Sequence, residues 1–288
     1  MPDLPTDLPG LTLDRVGEIE RAVVVNDVCR GAVFGHGAHV AAWEPAGHEP
    51  VLWVSSKAEY RDGKAIRGGV PVCFPWFGPK ADDPDAPAHG TVRTKAWDWQ
   101  GALETDGRTV VSLATRAAPF DATLQVSFGS TLTIDLTVAL DDDASAPTAY
   151  EFALHSYFAV ADAREVSISG LENARYIDKM IEGTSTCGPA GRPIRFTGET
   201  DRVYLDVDRP AVLTDPGLGR RINVDHRAPS VVVWNPWADK SARMGDFGDD
   251  EWPGMCCIES GAIGPDAVTL EPGGRATMGV TLSVDRLG

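Results

Sequence analysis

Short runs of β-branched and aromatic residues, many alternating apolar with polar positions, recur along most of this chain. The pattern is carried by "RAVVVNDV", "GAHVAAWEP", "EPVLWVS", "RTVVSLATR", "TLQVSFGSTLTIDLTVAL", "AYEFALHSYFAV", "EVSISGL", "PAVLTDP", "SVVVWNP", "CCIESG" and "AVTLEPGGRATMGVTLSV". A period of two sends successive side chains to opposite faces, so these runs read as β-strands. Turn residues punctuate them at roughly ten-residue spacing, the rhythm of sandwiches and barrels. "EPGG" reads as a hairpin or loop turn. Helical periodicity is weak. "SSKAEYRDGKAIRGG" is expected to hold one short helical turn, and "NPWADKSARM" another, capped by Asn235 ahead of Pro236. No linker or repeat divides the chain, and the Pro- and Asp-rich "ADDPDAPAHG" is a loop. The expectation is one all-β domain, residues 1–288. It should have about eighteen or more strands in two packed antiparallel sheets, with a ligand cleft on the concave face of one.

Composition narrows the partners. Hydrophobic residues make up 43% and charged residues 24%, an ordinary globular balance. The formal net charge of −16 argues against nucleic acid and anionic membrane surfaces. It leaves room for a small anionic substrate, because a few arginines in one pocket reverse the local field. Cys29, Cys73, Cys187, Cys256 and Cys257 are odd in number and irregularly spaced, with no CxxC. Reduced thiols in a cytoplasm suit that pattern better than a disulfide framework. "MPDLPTDLPG" has neither the basic nor the apolar region of a leader, and no stretch has the length of a membrane span.

Several stretches carry candidate chemistry. His155 in "HSYF" follows an apolar run, and a buried imidazole needs a partner. Glu259 in "CCIESG" follows another, where a carboxylate also needs partners unless the strand end faces solvent. Glu can take a proton and an imidazolium can give one. "IRGGVPVCFPWFGP" presents Arg67 beside Gly68 and Gly69, which would let backbone approach a ligand closely; it also reads as a rigid loop packed by its own aromatics. In "HGTVRTKAW", His89 and Arg93 would share one face of a strand, or be a loop histidine and a surface arginine. "WNPWADKSARMGDFGDDEWPG" reads as a long ordered loop over a sheet end, able to close over a ligand. His36 and His39 are three apart, on opposite faces of a strand, and no paired metal-ligand spacing occurs.

Taken together, "GAHVAAWEP", "AIRGGVPVCFPWFGP", "HGTVRTKAW", "HSYF", "TDRVY", "VVWNPW" and "DFGDDEWPGMCCIE" give the chain a specific resemblance to the aldose 1-epimerase superfamily. Within it, the chain resembles the glucose-6-phosphate 1-epimerase (D-hexose-6-phosphate mutarotase) branch. The likeness runs from about Gly37 to the C-terminus. It implies a galactose-mutarotase-like supersandwich. It places the family's general acid on His155 and general base on Glu259, with substrate-binding residues at Arg67, His89, Arg93 and Asp201. The family often has Gln before "HG" and Phe after it; Ala88 and Thr91 stand there, which leaves the identity of the sugar open.

The implied reaction opens and recloses a hexopyranose ring. A base removes the O1 proton while an acid protonates the ring oxygen; rotation about C1–C2 and reclosure invert the anomeric centre. Glu259 as carboxylate and His155 as imidazolium would supply that pair, with no metal, nucleotide or redox group required. Arg67 and Arg93 are the phosphate candidates, because a guanidinium fork binds phosphate bidentately; Lys95 and Lys240 are weaker ones. His89 is expected on the sugar hydroxyls, and Asp201 on a hydroxyl or on His155, extending the alkaline limb of a bell-shaped pH profile. The expected partner is a small sugar phosphate, bound by a cytoplasmic monomer without a cofactor. An epimerase for unphosphorylated sugars, or a carbohydrate-binding protein on the same fold, are the competing readings.

Overall fold

The structure, a computed structural model, describes Leu4 and residues 8–181 and 186–288. Most of the N-terminal decapeptide in which no leader was expected lies outside those residues. The described chain is nearly all β. Two eight-stranded sheets dominate, joined by a four-stranded sheet from Leu11 to Pro45 and a two-stranded one pairing Thr148–Tyr150 with Val268–Leu270. The two-sheet expectation is thus corrected to two large and two small sheets.

One large sheet shows why the alternating runs were legible. Phe120–Phe128 and Leu132–Leu140 form a hairpin whose buried residues alternate with exposed or half-buried ones. One face packs on the core and the other meets water. The second large sheet is different. Every residue of Met255–Ala262 and of Ser230–Asn235 is buried. Cys256, Ile258, Val231 and Val233 face the main core. Cys257 packs with Trp234 and Tyr157, and Val232 packs with Val203, Ala153 and Cys73, in separate clusters. By the period of two, Glu259 shares the face of Cys257, away from the main core.

Several expectations fail locally. "AYEFALHSYFAV" splits into Thr148–Tyr150, Phe152–Leu154 and Tyr157–Ala159, which serve two different sheets. "EPVLWVS" supplies only isolated bridges, Leu52 to Phe158 and Val54 to Gly68. "SSKAEYRDGKAIRGG" forms turns and bends without helix. "EPGG" is a loop turn, since the strands on either side of it belong to different sheets. "NPWADKSARM" does form a short helix, Trp237–Ser241, and Asn235 Oδ1 accepts from Trp237 N–H at 2.8 Å across its start.

The segment "HGTVRTKAW" is a turn leading into a 3₁₀ helix at Val92–Thr94, not a strand, so His89 and Arg93 share no strand face. His89 has φ of +65° and Gly90 of +74°, and a Cβ on Gly90 would stand 1.8 Å from the Phe74 carbonyl oxygen. That backbone crossing presents His89 and admits no side chain at residue 90. Gly90→Ala should therefore destabilise the fold by about 2 kcal/mol or more, through a strained φ and a steric clash together. Thermal unfolding checks it, and an unchanged midpoint would contradict the crossing.

Candidate active site

A break in the strand pairing creates the site. Phe152–Leu154 pairs with Ser260–Ala262, and Tyr157–Ala159 pairs with Met255–Cys257. Between them the chain tightens, with Ser156 N–H donating to Leu154 C=O at 2.9 Å and His155 N–H to Pro71 C=O at 3.0 Å. In a regular strand, residues i and i+2 lie about 6.5 Å apart. Here the rings of His155 and Tyr157 stack at 4.6 Å and 10°. The contraction turns His155 toward Glu259, and Nδ1 lies 3.3 Å from Oε1. The alignment is not that of a hydrogen bond, and Nδ1 and Glu259 Oε2 are both buried without one.

Cross-strand register supplies the neighbours. Glu259 stands opposite Val232, which stands opposite Val203, an apolar row. The adjacent row runs Asp201, Trp234, Cys257, Tyr157. His155, Glu259, Asp201 and Trp234 line a cavity of about 320 Å³. Its other walls include Arg67, His89, Phe77, Lys179 and Lys240. A larger concavity of about 830 Å³ lies elsewhere, beside Arg192, Arg195 and Arg202, and has no acid–base pair.

Desolvation decides the charges. Glu259 is 1% exposed, and burial, reinforced by the Asp201 charge, pushes its carboxyl well above the usual range; Lys179 and Arg93 oppose this. Burial also drives His155 well below the ordinary imidazole value, helped by the positive charges of Arg67 and Arg93. An ion pair at 3.3 Å would move both groups the other way, so burial outweighs the pairing. Both shifts favour the neutral pair, with a shared proton on Glu259 rather than on His155. Asp201 likewise acts on Glu259, and its close ionic partner is Lys179 at 3.7 Å.

His89 donates its backbone N–H to Gly78 C=O at 2.8 Å, and its Nδ1 accepts Gly78 N–H at 3.3 Å. A neutral ring must then carry its proton on Nε2, as a donor. Burial first, then the charges of Arg93, Lys179 and Arg67, lower its pKa to about 3, which keeps it neutral. Arg67 is occupied. Its Nε and Nη2 bind both oxygens of Asp246 at 3.0–3.2 Å, and Nη1 donates to Tyr157 Oη at 2.9 Å. Gly68 and Gly69 take positive φ where they pass close to the backbone of Trp53 and Val40.

Arg93 does not line the cavity. Its Nη2 donates to Ala88 C=O at 2.9 Å and its Nε is buried and unpaired, so its charge reaches the site from behind. Lys95 points to the Arg116 carbonyl. Lys240 reaches the cavity and pairs with Glu199 at 2.8 Å. His36 and His39 are buried elsewhere, with His36 Nε2 2.7 Å from Lys64 C=O. Sequence reasoning missed Lys179, which lies 4.5 Å from the centre of the Phe77 ring, and Asp246. Neither carries a local signal; a lysine after a short strand and an acid in an acidic loop look like solvated surface.

Comparison with known proteins identifies the family. The family described as Aldose 1-epimerase matches residues 23–283. A relative from Escherichia coli (strain K12) is 37% identical over 262 residues, covering 88% of this chain and 86% of that protein. One from Salmonella typhimurium is 36% identical, covering 93% and 92%. Both are named "Putative glucose-6-phosphate 1-epimerase". A crystal structure from Salmonella typhimurium, of "a putative mutarotase (YeaD)", superposes with a TM-score of 0.89 at 30% identity, covering 99% of this chain and 97% of that one. The chain belongs to the aldose 1-epimerase family. Its fold is all-β and galactose-mutarotase-like. No helix among the described residues is long and apolar enough to cross a membrane.

The raised carboxyl pKa of Glu259 has a stability consequence. The native state keeps a proton there that the unfolded state releases near pH 4.3, the reference value for Glu. Stability from this group is full below about pH 4.3 and is lost as pH rises through the native pKa. Glu259→Gln should therefore raise the melting temperature most at pH 8, with the gain shrinking toward pH 4. A gain that grows toward acid pH would reverse the assigned shift.

Proposed function

We propose that this protein is an isomerase that interconverts the α and β anomers of a hexose 6-phosphate, glucose 6-phosphate being the first substrate to test. The observation that carries the reading is the buried His155–Glu259 contact of 3.3 Å in a cavity that Lys179, Lys240 and Arg67 also line. A sugar-binding protein needs no buried acid–base pair. Cations around the rim suit a phosphate, and the names of the relatives point the same way.

In this mechanism the single proton of the pair does the chemistry. Glu259 passes it to His155 Nδ1 across their contact, forming the carboxylate–imidazolium state inside the cavity. Glu259 then removes the O1 proton while His155 protonates the ring oxygen. The C1–O5 bond breaks to the open aldehyde, C1–C2 rotates, and the same steps in reverse close the other anomer. Each well-placed transfer group is worth roughly 10²–10⁴-fold. His89, fixed as an Nε2 donor, holds a hydroxyl. Asp201 binds a hydroxyl and sustains the proton on Glu259. Lys179, Lys240 and Arg67 receive the phosphate, and Arg93 adds its charge from the second rank. The same reading has residues 1–288 act as one domain and as a monomer, without a cofactor, in a cytoplasm that keeps the buried thiols reduced.

His155→Ala and Glu259→Gln should each fold and each lose about 10²-fold or more of the anomer exchange on glucose 6-phosphate. Anomer-resolved NMR exchange, with spontaneous mutarotation subtracted, measures this; near wild-type exchange in either folded variant would remove that residue from the chemistry. Because burial widens the range over which the pair holds one proton, the rate should stay level across neutral pH. It should fall only where a second proton is gained in acid or the last is lost in alkali. A narrow optimum confined between about 4.3 and 6.5, the reference Glu and His values, would show unshifted groups.

A further inference from the structure

The acidic segment after Met244 contributes more than cover. Arg67 lies in the cavity wall, yet Asp246, which holds it, does not line the cavity. Asp246 binds along the Nε–Nη2 edge, while Tyr157 Oη takes one proton of Nη1. A guanidinium has five N–H donors in a rigid fork. Nε, one N–H of Nη1 and at least one of Nη2 are taken by Asp246 and Tyr157, so at least one and at most two of the five donors stay able to donate. The pair is only about a quarter exposed on each side, so solvent weakens it less than a surface pair. Burial works against the Arg67 charge, and Tyr157 and Asp246 more than offset this, raising its pKa.

The loop that carries Asp246 is itself anchored. Glu251 accepts from Ser55 Oγ at 2.7 Å, Ser56 N–H at 3.0 Å and Gly248 N–H at 3.1 Å. Lys57 pairs with Asp249 at 2.6 Å. Ser55 N–H in turn donates to Arg67 C=O at 3.0 Å. The side chain of Arg67 is thus bound to this loop directly, and its backbone indirectly through Ser55. Tyr157, the third member, stacks on His155.

We propose that Asp246 is a positioning residue for phosphate specificity: from behind the cavity wall it fixes the Arg67 fork so that its free end meets the substrate phosphate. The proposal rests on the hexose 6-phosphate reading and adds to it a residue outside the cavity. An unanchored arginine would have to freeze its rotamers on binding; Asp246 has them frozen beforehand.

The test measures anomer exchange on glucose 6-phosphate and on glucose, and binding of inorganic phosphate by calorimetry. The proteins are wild type, Asp246→Asn, Arg67→Lys and the double variant. Asp246→Asn should raise KM for glucose 6-phosphate about tenfold with a smaller change in kcat, and weaken inorganic phosphate by a similar factor. The loss on glucose should be several-fold smaller. The effect of Asp246→Asn should vanish in the Arg67→Lys background, since a lysine has no fork to orient. Equal losses on both sugars, additive effects in the double variant, or unchanged phosphate binding would overturn the proposal. If Asp246→Asn does not fold, Asp246→Glu and Arg67→Lys decide. A longer carboxylate should shift the fork and weaken phosphate more than glucose, and parity between the two sugars in both variants would overturn it. A wild type that neither turns over glucose 6-phosphate nor binds phosphate would overturn the functional reading itself.

Discussion

A carboxylic acid and an imidazole buried side by side set the terms for the rest of this molecule. Glu259 and His155 are both nearly inaccessible, one in the middle of a strand and the other at a break in its neighbour. An unpaired carboxylate in such a place would cost several kcal/mol. Burial favours the protonated carboxyl, which avoids that cost, and the cross-strand row of Val232 and Val203 gives Glu259 apolar neighbours. A sheet with one wet face could not do this. The site requires a sheet buried on both faces, which is why Met255–Ala262 and Ser230–Asn235 are buried along their whole length.

Positive charge is handled by a second rule. The cations that line the cavity each have a carboxylate partner: Arg67 has Asp246, Lys179 has Asp201 and Lys240 has Glu199. The pairs keep three cations close together in a small cavity without a large repulsive field. They also hold the charge at the walls, because Asp246 and Glu199 lie outside the cavity lining. On the proposed function, a substrate phosphate would meet cations already oriented, at the cost of sharing them with their carboxylates. A net charge of −16 elsewhere on the chain is compatible with that local arrangement, since surface charges beyond about 8 Å are screened at physiological salt.

Much of the architecture could be read from periodicity alone. Strict alternation in Phe120–Phe128 and Leu132–Leu140 reflects one buried and one wet face, a local consequence of strand geometry. The chemically odd residues stood out for the same reason: a histidine and a glutamate embedded in apolar runs violate the pattern, and His155 and Glu259 do line the cavity. Where neither period nor composition spoke, the reading failed. "HGTVRTKAW" has no clear alternation, and reading His89 and Arg93 on one strand face failed because the left-handed backbone at His89 and Gly90 makes the segment a loop.

What remained belonged to the tertiary structure, because it depends on contacts between residues far apart in sequence. The proton's place on Glu259 follows from burial and from Asp201, 58 positions earlier in the chain, which no local pattern reports. Arg67 looked like a free phosphate clamp until Asp246, 179 residues away, was found along one edge of its fork. Lys179 reaches the cavity only because Thr200–Leu205 packs between the strand before it and Ser230–Asn235, the neighbour of the strand that carries Glu259. Alternation and side-chain chemistry are properties of short segments and survive in the sequence. Desolvation and charge pairing are properties of the assembled cavity, and folding alone determines them.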